Sequence, residues 1–343
     1  MNSCERVQAA LRREEPDRVP YCELGIDLAL AQRIMGWGQP VSQAANLEAN
    51  RYTVAEAKAL ASFLGKDNIC YVLRAPVYAH KAPGQDGRLF YGQGMIRTEA
   101  DLSLLQLPDP YDDALYAEAQ DFVRQKEGYS AWLVTRIGIF PTMLSMGMEN
   151  FCLALHDNRP FVETVLDRYC DWAAVVAERA CQLGFDAFAS TDDMAFKTAP
   201  FFSPAVFRSL VLPRYQRVAE KLTIPWIIHS DGNVMPFLDD MLGLGIAGLH
   251  PIEEGAMDIR AMKRDYGDRL CLLGNVNLNL LGLGTPEEVD RNVRELIRDV
   301  GPGGGYIVTC GNSLAGYLRP ENVLALSAAV QKYGRYPLDA GTF

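Results

Sequence analysis

Eight short, unbroken apolar runs alternate with amphipathic stretches along this chain, and that alternation limits its fold more than any other feature. The runs are "VPYCEL" (19–24), "DNICYVL" (67–73), "AWLVTRIGI" (131–139), "FDAFAS" (185–190), "IPWIIH" (224–229), "IAGLH" (246–250), "RLCLLGNV" (269–276) and "GGYIVTC" (304–310). A strand with one wet face alternates apolar and polar residues. Continuous apolar runs suit parallel strands covered on both faces. The segments between them carry helix signals. Ser203 reads as an N-cap with Pro204 at the first helical position of 203–222. Thr285 and Glu288 fit a capping box at the head of 285–300, and 320–334 is a third such helix. The alternation predicts an α/β fold, a (β/α)8 TIM barrel. An open doubly wound sheet competes, but no Gly-rich dinucleotide turn follows an early run. "GPGGGY" (301–306) precedes a strand and reads as a tight αβ loop.

Two segments exceed a minimal barrel. Residues 1–16 read as a helix placed to close the barrel's base. Residues 75–130 form an insertion between the second and third strands, with a hairpin-like "GRLFYGQGMIRT" and a turn-rich "LPDPYDD". With no flexible linker or internal repeat, 1–343 reads as a single domain. At 343 residues, 49% of them hydrophobic, the chain can bury a large core. A net charge of -10 and the lack of any Lys/Arg-rich run argue against nucleic acid as a partner. Eight cysteines without CxxC or paired spacing are not a disulfide framework. No signal-peptide core opens the chain, and no stretch approaches the roughly 18 apolar residues of a membrane span. The expectation is a cytoplasmic protein with no membrane partner; a homodimer is compatible with it.

Barrel active sites sit at the C-terminal ends of the strands. The residues ending the runs are Glu23 and Asp27, Tyr71 and Arg74, Thr135 and Arg136, then Thr191, Asp192 and Asp193. His229 and Asp231, His250 and Glu253, Asn275 and Asn277, and Cys310 and Asn312 complete the rim. Strand ends are polar in most proteins, so a structural part stands beside each functional one. Asn275, Asn277 and Asn312 suit turns. Asp192 and Asp193 stand equally for helix capping and for catalysis. Arg74 and Arg136 neutralise an acidic rim, or an Arg after the third strand orients a substrate carboxylate. His229, Asp231, Glu253 and Cys310 combine metal-binding side chains from the fifth, sixth and eighth strands. Zinc takes imidazole nitrogen, thiolate sulfur and carboxylate oxygen, and keeps one position open for catalysis. His-x-Asp sends two side chains to the same side of one strand end.

At these residues the sequence resembles the uroporphyrinogen decarboxylase-like superfamily. The likeness is carried by "RVPYCELGID", "SPAVFRSLVLPRYQRV", "IIHSDGN", "HPIEEGAMDIRAMKRDYGDRLCLLGNVN" and "GGGYIVTCGNS…RPENVLAL". The resemblance implies the barrel and offers two branches: porphyrinogen decarboxylases, and zinc-dependent methyltransferases that serve a corrinoid protein. The decarboxylase branch carries arginines after the first strand and an aspartate after the second. Here "YCELGIDLALAQ" holds no arginine and "CYVLRAP" no aspartate, and an acidic rim would repel a polycarboxylate. The thiol-methylating members bind zinc through a His-x-Cys pair after the fifth strand and a Cys after the eighth. His229 and Cys310 match the outer positions, while Asp231 replaces the middle Cys. A carboxylate in place of a thiolate favours zinc acting on oxygen.

The resemblance therefore implies an O-demethylase-type methyltransferase. It would move a methyl group from a small methoxylated, aromatic substrate to the cob(I)amide of a separate corrinoid protein. The metal would sit on His229, Asp231, Glu253 and Cys310. Asp192 and Asp193 would be catalytic, and Glu23, Tyr71, Arg136, Phe140 and Asn275 would bind substrate. Phe196 and Met143 would help wall the ring slot. The chain lacks a DxHxxG cobalamin signature, so the corrinoid (cobalamin) comes on the partner. The alternatives are a metal-free porphyrinogen-type decarboxylase or lyase on the same barrel, and a non-catalytic binder.

Overall fold

The computed structural model describes residues 1–38, 52–83, 89–338 and 343. Strand β1 (Asn68–Val72) is followed by an antiparallel hairpin, β2 (Ala79–Pro83) and β3 (Leu89–Gly94). Then come β4 (Ser130–Thr135), β5 (Ala187–Thr191), β6 (Trp226–His229), β7 (Gly248–His250), β8 (Cys271–Leu273) and β9 (Tyr306–Ile307). Apart from the hairpin, all pair in parallel in the order β1-β4-β5-β6-β7-β8-β9.

The eighth stave, the first apolar run, lies between β9 and β1 without becoming a regular strand. On one side Cys22 N–H donates to Val308 O (3.0 Å) and Val308 N–H to Pro20 O (2.9 Å). On the other side one backbone rung, Asp67 N–H to Tyr21 O (2.7 Å), is flanked by side-chain bonds. Asp67 Oδ2 accepts from Tyr21 N–H (2.9 Å), Asn68 Oδ1 accepts from Glu23 N–H (3.0 Å), and Asn68 Nδ2 donates to Glu23 O (3.0 Å). The curled sheet thus closes as a TIM-type barrel.

Side chains point inward with period two. Cys22, Leu24, Trp132, Val134, Ala187, Ala189, Ile227, Cys271, Leu273 and Ile307 fill the interior. The helix Ser3–Leu11 plugs the base, adding Val7, Ala10 and Leu11 to that cluster. It starts in a capping box between Asn2 and Glu5. The insertion before β4 holds the hairpin and the helix Ala117–Arg124.

The run 131–139 is shorter as a strand than its apolarity suggests. It leaves the sheet after Thr135, and Ile139 opens the helix Ile139–Met146. Ser203 caps its helix by accepting from Val206 N–H (3.2 Å). That helix passes through a π-turn, Phe207–Val211, before continuing as Leu212–Ala219. Pro213 has no N–H to give and crowds the carbonyl one turn back. The freed Ser209 carbonyl accepts from Arg159 Nη2 (3.0 Å). Among the described residues, no helix is long and apolar enough to cross a membrane.

Candidate metal centre

Strands β5, β6 and β7 end level. Thr191 pairs with His229, and His229 with His250. Continuing the inward parity of Ala187, Ala189 and Ile227 brings Thr191, Asp193, His229 and Asp231 to the barrel mouth. The residues between them face the opposite way and are spent on structure. Ser190 Oγ accepts from Trp226 Nε1 (2.9 Å), and Ser230 Oγ accepts from Met194 N–H (3.0 Å). Asp192 is fully buried. Its carboxylate accepts from the amides of Ile137 (2.6 Å), Gly138 (3.1 Å) and Phe140 (3.2 Å), which starts the helix Ile139–Met146. Burial pushes its carboxyl up, against the pull of those amides. Of the two expected catalytic aspartates, Asp192 is placed as a cap and Asp193 at the mouth.

Asp193, His229 and Asp231 each offer one ligand atom, and these lie within 4.8 Å of one another. His229 Nε2 is 3.6 Å from Asp193 Oδ1 and 3.8 Å from Asp231 Oδ1. A tetrahedral zinc site with bonds of about 2.1 Å sets neighbouring ligand atoms about 3.4 Å apart, so the spacing suits a shared cation. Asp231 Oδ1 is buried with no hydrogen-bond partner, whereas Oδ2 accepts from Asn312 Nδ2. Burial holds the Asp231 carboxyl up at about 6, against the pull of His229, with Asp193 and Glu253 adding to the rise. An orphaned carboxylate oxygen facing an imidazole nitrogen is the arrangement a cation would satisfy.

A second layer fixes these donors. His229 Nδ1 lies 2.6 Å from His250 Nδ1. His250 is fully buried, and burial followed by the charge of His229 drives its pKa well below 6.5. It is therefore neutral. In the tautomer that leaves His229 Nε2 to ligate, Nδ1–H would donate to His250, the usual outer-shell support of a ligating imidazole. Asp193 Oδ1 accepts from Asp231 N–H (3.0 Å), and Glu253 Oε2 accepts from Gly232 N–H (2.9 Å). Gly232 has φ +81° and a Cβ there would meet Ala195 O at 2.4 Å, so only glycine lets the loop pack this closely.

Two expected ligands stand apart from this group. Glu253 is taken by Gly232 and by Lys197 Nζ at 3.3 Å. Cys310 is fully buried; its Sγ donates to Glu23 Oε2 (2.9 Å) and its N–H to Glu23 Oε1 (3.0 Å). Burial pushes the thiol well up and holds Glu23 at about 7. The reason is parity: Ile307 packs inside the barrel, whereas Val308 and Cys310 join the outer core.

The expected substrate residues divide similarly. Tyr71 faces outward, packed on Phe122 (5.4 Å) and Phe185 (6.3 Å), because Cys70 and Val72 hold the inner face. Burial pushes its phenol up to about 12. Arg136 and Phe140 meet, with the guanidinium 5.3 Å from the ring centroid. Asn275 Nδ2 donates to Ile252 O (2.8 Å). Met143 is buried in the core, and Phe196 is exposed, edge-on to Phe201 at 4.4 Å. Asp27 and Asn277 cap the helices Leu28–Met35 and Leu278–Leu283. Asn312, expected in a turn, instead reaches Asp231, and His250 is the support that a residue-by-residue reading left unassigned. The signal for His250 was present: it ends the strand beside His229.

A model of the uroporphyrinogen decarboxylase (URO-D) family matches residues 91–333, from β3 through the last helix and across the whole centre just described. The chain belongs to the URO-D family. Uroporphyrinogen decarboxylases of Alkalilimnicola ehrlichii and Methylococcus capsulatus are each 24% identical to it over 250 residues. The match covers 69% of this chain and 67% and 70% of theirs. A methyltransferase from Methanosarcina mazei superposes with TM-score 0.78 at 21% identity, covering 97% of this chain and 99% of that one. A B12-independent methionine synthase from Shewanella sp. W3-18-1 gives TM-score 0.53 at 11% identity, over 92% and 97%. In this URO-D family member the triad hangs from β5 and β6 of the shared barrel.

Proposed function

We propose that this URO-D family member is a zinc-dependent methyltransferase. It would take the methyl group of a small methoxylated aromatic compound and pass it to the cob(I)amide of a separate corrinoid protein. The observation that carries the reading is the Asp193–His229–Asp231 group, with its orphaned Asp231 Oδ1 and its buried imidazole support. The fold likeness to a methyltransferase is in keeping with it. One imidazole and two carboxylates leave a fourth position open. Bound zinc would supply Lewis acidity to the ether oxygen, whose charge grows as the methyl leaves. His250 keeps His229 in the ligating tautomer. Asn312 and the hydrogen bond from the Asp231 backbone N–H to Asp193 fix the two carboxylates, so little rearrangement is needed on binding. The corrinoid would approach over the mouth, where Asp193 and Asp231 are partly exposed.

The reading is tested by elemental mass spectrometry of the purified protein. About one zinc per chain is expected in wild type, with loss in His229→Ala and Asp193→Ala. Zinc should be retained in Cys310→Ala, because that thiol is held by Glu23; loss there would put the thiolate among the ligands. Zinc-loaded wild type should then form methylcobalamin from cob(I)alamin and a methoxyarene. A wild type that refuses added zinc sinks the proposal and leaves a metal-free lyase, the reaction class of the decarboxylase relatives.

A further inference from the structure

The mouth is divided by charge. Asp193, Asp231 and Glu253 gather after β5, β6 and β7. On the neighbouring strands, two arginines follow β1 and β4. Val72 pairs with Val134, and Leu73 N–H donates to Val134 O (3.0 Å), so the pairing runs on past the strand ends. Arg74 and Arg136 therefore leave their strands side by side, on the inward parity of Val72 and Val134. Arg74 Nη2 donates to Thr191 Oγ1 (3.0 Å), beside the triad.

Arg136 is only 8% exposed. Its guanidinium lies between the rings of Tyr91 (5.5 Å) and Phe140 (5.3 Å) and gives one hydrogen bond, Nη1 to Tyr91 OH at 3.4 Å. Its Nε is buried with no partner, and no carboxylate forms an ion pair with it among the described residues. Asp192 acts on it through space, but that carboxylate is bound by three amides. A buried guanidinium without a counter-ion is costly, and its planar fork matches a carboxylate. Arg136 stands level with Thr191 and His229, one strand from the β5 end that carries Asp193 and two strand spacings, about 10 Å, from His229. That span takes one six-membered ring bearing groups at opposite ends.

We propose that Arg136, with Arg74 beside it, binds a carboxylate on the methyl donor, so that the substrate is a methoxylated aromatic acid; this rests on the methyl-transfer reading above. The carboxylate lies on the arginine side, the methoxy group on the acidic, metal-holding side, and the aryl ring against Tyr91 and Phe140. An overall charge of -10 would otherwise disfavour an anionic substrate.

The test is equilibrium binding of para-methoxybenzoate against its neutral isostere para-methoxybenzamide, by calorimetry, with and without added zinc. Wild type should prefer the acid by about 10- to 100-fold. Arg136→Met should erase the preference, and Arg136→Lys, which keeps the charge but not the fork, should leave only part of it. Thermal melts confirm that both variants are folded. Equal affinity for the two ligands in wild type, no binding of either, or a preference that survives Arg136→Met overturns the proposal. The two readings fail separately. Methyl transfer from a neutral methoxyarene without preference for the acid sinks this one alone; an acid preference in a protein that binds no zinc sinks the other.

Discussion

Asp192 and Asp193 are neighbours in sequence, yet the pleat sends them to opposite faces. Asp192 binds three amides in the core, whereas Asp193 lies 3.6 Å from His229 at the mouth. Their replacement should separate stability from metal binding. Asp192→Ala leaves buried N–H groups without an acceptor and removes a helix start, which costs about 2–4 kcal/mol. Asp193→Ala loses a single bond from the Asp231 amide at a part-exposed site and costs about 1 kcal/mol. Urea denaturation measures both, and metal analysis should show the reverse order of damage. Equal stability losses would mean the parity assignment is wrong. Sequence alone offers two adjacent aspartates as equals; only the strand register, set by inward Ala187 and Ala189, distinguishes them. The same parity turns Tyr71 away from the mouth and sets the Cys310 thiol on Glu23.

Among the elements, the amphipathic helices and their caps were readable because capping is local chemistry: Thr285 with Glu288, and Ser203 before Pro204, behave as their spacing predicts. The basal plug was readable only as a helix; what ties it down is long-range. Arg6 gives Nε and Nη2 to Asp17 (2.7 and 2.8 Å) and Nη1 to buried Asp67 (2.6 Å). The hydrogen bonds from Arg6 hold the Asp17 carboxyl down at about 2, below its usual 3.8. A depressed acid stabilises the fold above its unfolded pKa, and that contribution disappears as pH falls through the folded value. The stability gap between wild type and Arg6→Met should therefore narrow as pH drops from about 4 to about 2. Because Asp17 is 43% exposed, screening keeps its share modest; most of the gap at neutral pH is the lost bond to Asp67, about 2 kcal/mol, since Arg18 still pairs with that carboxylate at 2.9 Å. Urea midpoints across that range are the measurement, and a gap that widens on acidification would contradict the assignment.

For the whole molecule, the barrel was legible because eight buried staves need eight apolar runs. The closure was less so: the first stave is stitched by Asp67 and Asn68 side chains, which no apolar pattern records. The hairpin was legible only in part: the string that reads as one, 87–98, holds β3, whereas its partner β2 precedes it. In the structure the hairpin's base is fastened to the end of the helix Ile139–Met146. Ile96 N–H donates to Ser145 O (2.8 Å) and Tyr78 N–H to Ser145 Oγ (3.0 Å). The contact is so close that a Cβ on Gly94 would meet Gly147 N at 2.2 Å and Met146 C at 2.3 Å. Both are backbone atoms and neither can turn aside. Gly94→Ala must therefore push β3 off the helix, at about 1–3 kcal/mol, and carry Tyr91 away from Arg136. Gly92→Ala is the control on the same strand, since its Cβ would meet nothing nearer than His80 O at 3.4 Å. Gly94→Ala should lower the melting temperature and weaken para-methoxybenzoate binding, while Gly92→Ala should change neither. Should Gly94→Ala melt and bind as wild type does, the hairpin would not be what positions the arginine side of the mouth.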